Sequence, residues 1–375
     1  MMNESMLYKK VLGSLLGFAV GDAFGVPFEE MHFENIIKQY GGFVREMTKV
    51  NRRLLGGGIF YENHVLQPPE ATLEPERPPH PFGAYSDAAG EYTDDTRYAL
   101  LCAKAVIKYG RRVTSIEFAK FLSEYVENLK NTRPEDDLER RWMQDMFKFE
   151  ALAVVAQHRH VFSALYEILT GWDGVAGLIN PFDTYEAGRD GGPLSCAVAE
   201  AMKPDATVDS VLNAARDAYW TIPGSICAEG VGFLQNEYIR RVDAILEYAE
   251  KTMDPEAVIR FIYERYLVTF PPYNFLFPME MLPTAFGLFK ATNGDFKETV
   301  IWCGNFGRDG DGIAAMGGAL AGTLHGADVI PQDWKDMVLK HDRYALVETA
   351  EKLTGVISDK LDSICLYAQY SNKLK

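Results

Sequence analysis

The sequence has few cysteines and no pairing motif among them. The five cysteines are an odd number, and no two of them form a CxxC pair. Because each is flanked by apolar or small residues, we expect buried free thiols in a reducing compartment, and therefore a cytoplasmic protein. The sequence also lacks a Gly-x-Ser-x-Gly element, and the triplet Gly56 to Gly58 is not followed by the lysine and threonine of a phosphate loop. Neither a serine nucleophile nor a P-loop is indicated.

Basic residues are in deficit. Lysine and arginine number 38 against 53 aspartates and glutamates, which gives a formal net charge of −15. A protein that binds a nucleic-acid backbone needs a basic face, so we expect no nucleic-acid partner. An acidic surface that aids solubility explains most of the excess, but clustered carboxylates are also what divalent cations bind.

Long apolar runs are missing as well. No stretch approaches the roughly 18 apolar residues of a membrane span, so we expect no membrane partner. Lys9 and Lys10 precede an apolar run to Val20 that imitates a signal peptide, but no clear small-x-small cleavage site follows. The run is broken by Asp22 and leads on to Glu29. These features indicate a buried helix that is kept in the mature protein.

Apolar residues recur at three- and four-residue spacing instead of alternating, which is typical of helices. The spacing predicts helices over residues 6–24, 93–109, 116–129, 136–167, 195–202, 208–219, 227–251, 255–266, 281–292, 296–303, 313–325 and 334–357. Residues 31–90 are rich in glycine and proline and predict a long loop insertion. Since no linker separates two self-sufficient halves, we predict a single all-α domain over residues 1–375.

Glycines recur every four residues in the first predicted helix, at Gly13, Gly17 and Gly21. This spacing forms a groove on one helical face, where a neighbouring backbone can approach closely. A second stretch, from Gly312 to Gly322, is built almost entirely from small residues. It also predicts very close packing against a partner helix, which would bring another helix tip within reach of a shared metal.

Oxygen donors crowd the start of two predicted helices. Thr93, Asp94 and Asp95 are consecutive, and successive helical positions fan out by about 100°, so three donors surround one helix tip. Asp309 and Asp311 precede the small-residue helix. A helix cap and favourable first-turn acids explain one or two of these residues. The complete set suits a hard cation better than a cap.

A third feature is Glu29, which lies on the loop after the first helix and follows an apolar, glycine-rich stretch. In this order, the three clusters resemble the ADP-ribosylglycohydrolase family, which includes the dinitrogenase reductase-activating glycohydrolases and the J1 crystallins. The resemblance runs from about Lys10 to about Trp334 and is strongest at its two ends. Near the second end, the stretch from Phe296 through Asp309 and Asp311 to Trp334 is very similar to the family's C-terminal signature.

The resemblance implies an all-α fold with two magnesium or manganese ions in a central cleft. The residues that match the family's metal ligands are Thr93, Asp94, Asp95, Asp309 and Asp311. Two close dications bound by carboxylates can orient ribose hydroxyls, polarise an anomeric centre and activate a water.

The resemblance also implies an activity, hydrolysis of the ribosyl bond of an ADP-ribosylated protein side chain or small molecule. It assigns the catalytic role to Glu29, Asp94 and Asp311. Substrate contacts are assigned to Asp22, Gly191, Gly192 and Ser195, of which the last three lie in a loop that matches the family's loop imperfectly.

Two further departures leave alternatives open. The family usually has serine or threonine, a metal ligand, where this chain has Gly312, and the separation of Glu29 from Thr93 is longer than usual. The chain could therefore hydrolyse another ribosyl compound, or be a non-catalytic ADP-ribose-binding or crystallin-like protein. The preferred metal, the modified residue and the oligomeric state are left open by the sequence.

Overall fold

The computed structural model describes residues 5–50, 88–128, 193–221, 229–267 and 278–373, apart from positions 30, 112, 114–116, 119, 122–123, 126–127 and 195. Within these ranges the regular structure is helical, and the one β-type pairing there is an isolated bridge between His32 and Gly307. The predicted all-α fold is therefore confirmed.

The helices follow one another through the described ranges as α1 (Met6–Gly25), α2 (Phe33–Tyr40), α3 (Asp94–Tyr109), α4 (Val208–Thr221), α5 (Glu229–Thr252), α6 (Pro255–Ile262), α7 (Pro278–Ala291), α8 (Phe296–Asn305), α9 (Gly310–His325), α10 (Gln332–His341) and α11 (Leu346–Lys373). A 3-10 turn (Val26–Phe28) follows α1, a π turn (Tyr263–Leu267) extends α6, and a 3-10 turn (Ala327–Val329) follows α9. Further helical residues occur within 117–128 and 193–201.

The centre of the fold is an antiparallel pair, α1 and α9, whose backbones touch. A Cβ placed on Gly13 would lie 2.1 Å from the carbonyl oxygen of Gly322, and one on Gly17 would lie 2.3 Å from that of Gly318. One on Gly25, at the end of α1, would lie 2.2 Å from the carbonyl oxygen of Gly310. Side chains at these positions would force the helices apart, so the close packing predicted from the glycine spacing is confirmed.

A buried lysine, Lys10, lies where the beginning of α1 meets the C-terminal end of α9. The Lys10 ammonium donates to the carbonyl oxygens of Thr323 and Leu324 in the last turn of α9, at 3.2 and 2.9 Å, and to that of Ala201 at 2.6 Å. Carbonyls at a helix C-terminus lack partners within the helix, and a cation suits the negative end of the helix dipole. Burial lowers the pKa of the Lys10 ammonium.

Two boundaries differ from the sequence prediction. The single helix predicted over 334–357 is wrong, because the structure breaks it between α10 and α11 at Ala345, which has a φ of +55°. Asp342 stabilises the break by accepting hydrogen bonds from the backbone N–H groups of Tyr344 and Leu346, at 2.9 and 2.7 Å. The loop predicted over 31–90 is also wrong in part, since α2 lies within it.

The cysteine prediction holds in part. Cys102 and Cys303 are free and buried, as expected, whereas Cys196 and Cys365 are free but exposed. Burial raises the pKa of the Cys303 thiol. Cys227 lies outside the described residues.

Among the described residues, one helical stretch, Met6–Phe28, is long and apolar enough to cross a membrane by composition. The protein buries 94% of its most apolar window, as it would in the core helix of a globular fold. The predicted buried helix is confirmed, whereas the expectation that no stretch approaches the apolar length of a membrane span is wrong by composition.

The contact between α1 and α9 can be tested with a methyl group. We expect Gly318→Ala to lower the free energy of unfolding by about 1–3 kcal/mol or more, because the added Cβ would lie 2.1 Å from the backbone oxygen of Gly17. Urea unfolding followed by circular dichroism measures the change.

The matched control is Gly355→Ala in α11, where an added Cβ meets no described atom within 4 Å. Removing a helical glycine there should be neutral or stabilise by about 0.5–1 kcal/mol. Equal urea midpoints for the two variants would contradict the close-contact account.

Candidate active site

The loop between α8 and α9 delivers Asp309 to the start of α9. The Tyr263 hydroxyl donates to the carbonyl oxygen of Phe306 at 2.7 Å, and the Arg308 N–H donates to that of Met31, also at 2.7 Å. Gly307 packs so tightly on Met31, with a φ of +71°, that a Cβ there would lie 2.1 Å from the same carbonyl oxygen. The backbone entering Asp309 is thus held by two other parts of the chain.

The Asp309 carboxylate lies over the first turn of α9. Asp309 occupies the N-cap position, but among the described residues its side chain makes no capping hydrogen bond. One of its oxygens, Oδ2, lies 2.3 Å from where a Cβ on residue 312 would stand. Gly312 therefore leaves the space that this carboxylate occupies, and the absence of a side chain there has a steric reason.

Asp311 links α9 to α3. Its Oδ1 accepts the backbone N–H of Gly312 at 3.0 Å, and its Oδ2 lies 3.5 Å from the hydroxyl of Thr93, which is 218 residues away in the chain. Thr93 and Asp311 are both buried, at 1% and 5% exposure. The structure therefore brings the two predicted donor clusters together at the starts of two helices.

Asp22 holds the first turn of α3 in place. Its carboxylate accepts the backbone N–H of Thr93 at 2.9 Å, the N–H of Thr96 at 3.1 Å and the Thr96 hydroxyl at 2.5 Å. The side chain is fully buried within the protein, and burial raises its pKa while the bonds from Thr96 and Thr93 act in the opposite direction. Asp22 therefore caps a helix that belongs to another part of the chain.

Thr93 caps the same helix from its own sequence. Its hydroxyl accepts the backbone N–H of Asp95 at 3.3 Å, and the Asp95 side chain is half-buried in the first turn of α3. The loop before Thr93 is anchored as well, because the Tyr92 hydroxyl donates to the Asp342 carboxylate at 2.8 Å. Asp94 is the first residue of α3, and its side chain lies outside the described atoms.

Glu29 follows the 3-10 turn beyond α1 and is half-buried. The turn itself touches the start of α9, since a Cβ on Gly310 would lie 3.6 Å from the backbone of Phe28. A Cβ placed on Gly25, the last residue of α1, would lie 2.5 Å from the Cα of Asp311 in the same turn of α9. Glu29 therefore lies one residue beyond the contact between Phe28 and α9. The predicted substrate residues Gly191, Gly192 and Ser195 lie outside the described residues.

The donor set matches a hard divalent cation in its chemistry. Thr93, Asp309 and Asp311 offer a hydroxyl and two carboxylates, all buried, at the starts of two helices. Oxygen donors of this kind are the ligands of Mg²⁺ and Mn²⁺. Within the part of the chain that the structure describes, no group of three or more His, Cys, Asp or Glu side chains could hold a metal ion by itself.

The sequence reasoning missed three of the residues that build this site. Thr96 donates two hydrogen bonds to Asp22. Arg308, the residue directly before Asp309, forms a buried ion pair with Glu280. Arg308 adjoins the Asp309–Asp311 pair in sequence, but the carboxylate that meets it lies in a different helix. The local pattern carried no signal for that pairing.

Comparisons with known proteins place the whole chain in a family. A family model described as ADP-ribosylglycohydrolase matches residues 3–190 and 184–362 of the chain. The chain is 24% identical over 368 residues to the ADP-ribosyl-[dinitrogen reductase] glycohydrolase of Rhodospirillum rubrum, with 95% of this chain and 100% of that protein covered. It is 25% identical over 357 residues to an uncharacterised protein of Archaeoglobus fulgidus, with 92% and 96% covered. A solved structure titled ADP-ribosylglycohydrolase-related protein complex matches with a TM-score of 0.40 and 20% identity over 93% of this chain and 98% of that chain.

The role of Asp22 can be tested with an isosteric change. In Asp22→Asn an amide NH₂ replaces one of the oxygens that face the donors of Thr93 and Thr96. Leaving buried donors without acceptors should lower the free energy of unfolding by about 1–3 kcal/mol. Hydrogen exchange followed by mass spectrometry should show lost protection in the first turn of α3.

Asp254→Asn is the matched control, because Asp254 caps α6 at the surface by accepting the N–H groups of Glu256 and Ala257. Asparagine caps a helix about as well as aspartate, so this variant should keep its stability. Unchanged exchange at the start of α3 in Asp22→Asn would show that the trans cap is not needed.

Proposed function

The chain belongs to the ADP-ribosylglycohydrolase family and is therefore a glycoside hydrolase that acts on ADP-ribose linkages; from this premise we propose that it cleaves the ribosyl bond of an ADP-ribosylated protein side chain or small molecule with two divalent cations and a water. The Rhodospirillum rubrum relative carries the name of such an enzyme. The family membership supports the bond that is cleaved, and the donor set described above supports the cations.

One observation carries the proposal. The Thr93 hydroxyl and the Asp311 carboxylate approach to 3.5 Å from the tips of two helices that are far apart in sequence. A hydroxyl and a carboxylate that merely capped their own helices would have no reason to meet. Buried carboxylates are costly unless they are paired, hydrogen-bonded or bound to a cation. A site that gathers Asp309 and Asp311 in this way suits a bound dication.

Thr93, Asp94, Asp95, Asp309 and Asp311 would hold the two cations. When bound, magnesium or manganese ions supply positive charge that orients ribose hydroxyls, polarises the anomeric centre and makes a water more acidic.

Glu29 would accept the proton of the attacking water. The water oxygen bonds to the anomeric carbon, the bond from that carbon to the leaving nitrogen or oxygen breaks, and the leaving group takes up a proton. The half-buried place of Glu29, next to the contact between Phe28 and α9, suits a carboxylate that must be ionised and still reach a water. Asp22 is assigned a different role from the substrate contact expected of it, because its oxygens are engaged with α3 inside the protein.

The first test removes one ligand at a time. We expect Asp311→Asn and Asp94→Asn to lose activity by more than the factor of about 10–100 that outer-shell changes at metal sites already cost. The measurement is ADP-ribose release from a modified protein at saturating Mg²⁺. Asp333→Asn, an exposed aspartate in the first turn of α10, is the control and should remain fully active. Full activity in either ligand variant would disprove the assignment.

The second test concerns the cations and the bond. Chelated protein should be inactive, and Mg²⁺ or Mn²⁺ should restore turnover of a panel that contains N-linked (arginine) and O-linked (serine) ADP-ribose. Activity that survives complete chelation would exclude the cation role. Tight binding of ADP-ribose with no turnover of any member of the panel would favour a non-catalytic binding protein instead.

A further inference from the structure

Arg308, the residue directly before Asp309, has a backbone conformation that side chains with a Cβ rarely adopt. Its φ is +58°, and it is one of four non-glycine residues with a positive φ among those described. Such conformations persist where the surrounding structure determines them strongly, and they cluster at functional sites. Arg308 is also buried, which is unusual for a charged side chain.

The partner of Arg308 comes from the first turn of α7. The guanidinium forms a two-pronged ion pair with the Glu280 carboxylate, Nε to Oε1 and Nη2 to Oε2, the second bond being 3.0 Å long. The side chains of Arg308 and Glu280 are only 4% and 3% exposed. Burial raises the pKa of the Glu280 carboxyl, while Arg308 and the buried Arg241 act in the opposite direction. A pair of this kind has a rigid geometry, because both hydrogen bonds must be aligned.

Arg308 is followed directly in the chain by Asp309, one of the proposed cation ligands. If Glu280 were uncharged, the buried Arg308 cation would lose the carboxylate that now accepts hydrogen bonds from both of its prongs. An arginine that paired with Asp309 instead would compete with a metal ion for that ligand.

We propose that Glu280 and Arg308 are a positioning pair for the cation site: Glu280 holds the guanidinium away from Asp309, and the pair fixes the loop so that the Asp309 carboxylate lies over Gly312. The inference rests on the proposed cation-dependent function. It assigns to two buried residues outside the ligand set a role in setting how strongly the site binds its cations.

The test measures Mn²⁺ binding to the full chain by electron paramagnetic resonance after chelation and dialysis. We expect Glu280→Gln to weaken binding about 10–100-fold, the usual cost of losing a group that supports a metal ligand. The double variant Glu280→Gln with Arg308→Gly should regain part of this loss, because it removes the competing cation and glycine tolerates a positive φ, although it does not restore the contact that fixes the loop. If the pair only compensated a buried charge, Glu280→Gln would lower the free energy of unfolding without weakening Mn²⁺ binding by the folded protein.

Glu256→Gln is the matched control. Glu256 also lies in the first turn of a helix and pairs with an arginine, Arg260, but the pair is about 40% exposed, at 41% for Glu256 and 43% for Arg260. Its Mn²⁺ affinity should equal that of the wild type. Urea unfolding of each variant shows whether it is folded at the temperature of the binding measurement.

If Glu280→Gln does not fold, Arg308→Lys supplies the measurement, since it keeps the charge but loses the two-pronged geometry and should also weaken Mn²⁺ binding. Binding within about twofold of wild type in the folded single variant, or no recovery in the double variant, would overturn the positioning role while leaving the cation site intact. A wild-type chain that binds no Mn²⁺ would instead overturn the cation site, and the positioning role with it.

Discussion

The contact between the backbones of α1 and α9 is the constraint on which the rest of the site depends. Along it, carbonyl oxygens of α9 lie where the Cβ atoms of Gly13, Gly17, Gly21 and Gly25 would stand. Because the helices are antiparallel, the end of α1 meets the beginning of α9. Asp22, in the last turn of α1, and the 3-10 turn that precedes Glu29 therefore lie near the first turn of α9. Larger side chains in this interface would separate these groups by the width of a side chain, and the distances at the site would no longer hold.

The third helix joins this pair through one buried carboxylate. Asp22 comes from the glycine-rich helix and satisfies backbone donors at the start of α3, where a helix has N–H groups without partners. This bond brings Thr93 beside Asp311. A carboxylate without solvent contact is tolerated because three donors surround it, and the same donors fix the direction in which α3 presents its first turn. The stability of the core and the geometry of the site thus depend on the same hydrogen bonds.

Most helices could be predicted because they bury one face in a single core, and this leaves a three- to four-residue period in the sequence. The break between α10 and α11 could not, since the apolar period continues through it. What ends the helix is Asp342, which binds two local N–H groups and also the hydroxyl of Tyr92, from a loop far away in sequence. The ion pair of Glu280 with Arg308 escaped prediction for the same reason, because each residue alone resembles a solvated charge.

The amino-acid sequence alone is enough to predict the helical class, the close packing of two small-residue helices, the family and the oxygen donors at two helix starts. These features are local: they depend on periodicity, on residue size and on the chemistry of neighbouring side chains. Three features could be seen only in the folded chain: which donors meet, that Asp22 caps α3 from inside the core, and that Gly312 leaves space for the carboxylate of Asp309. The first two depend on distances between residues remote in the chain, and those distances are set by how closely α1 and α9 approach. The third depends on the backbone that enters α9, which is held by hydrogen bonds to two remote residues, Tyr263 and Met31.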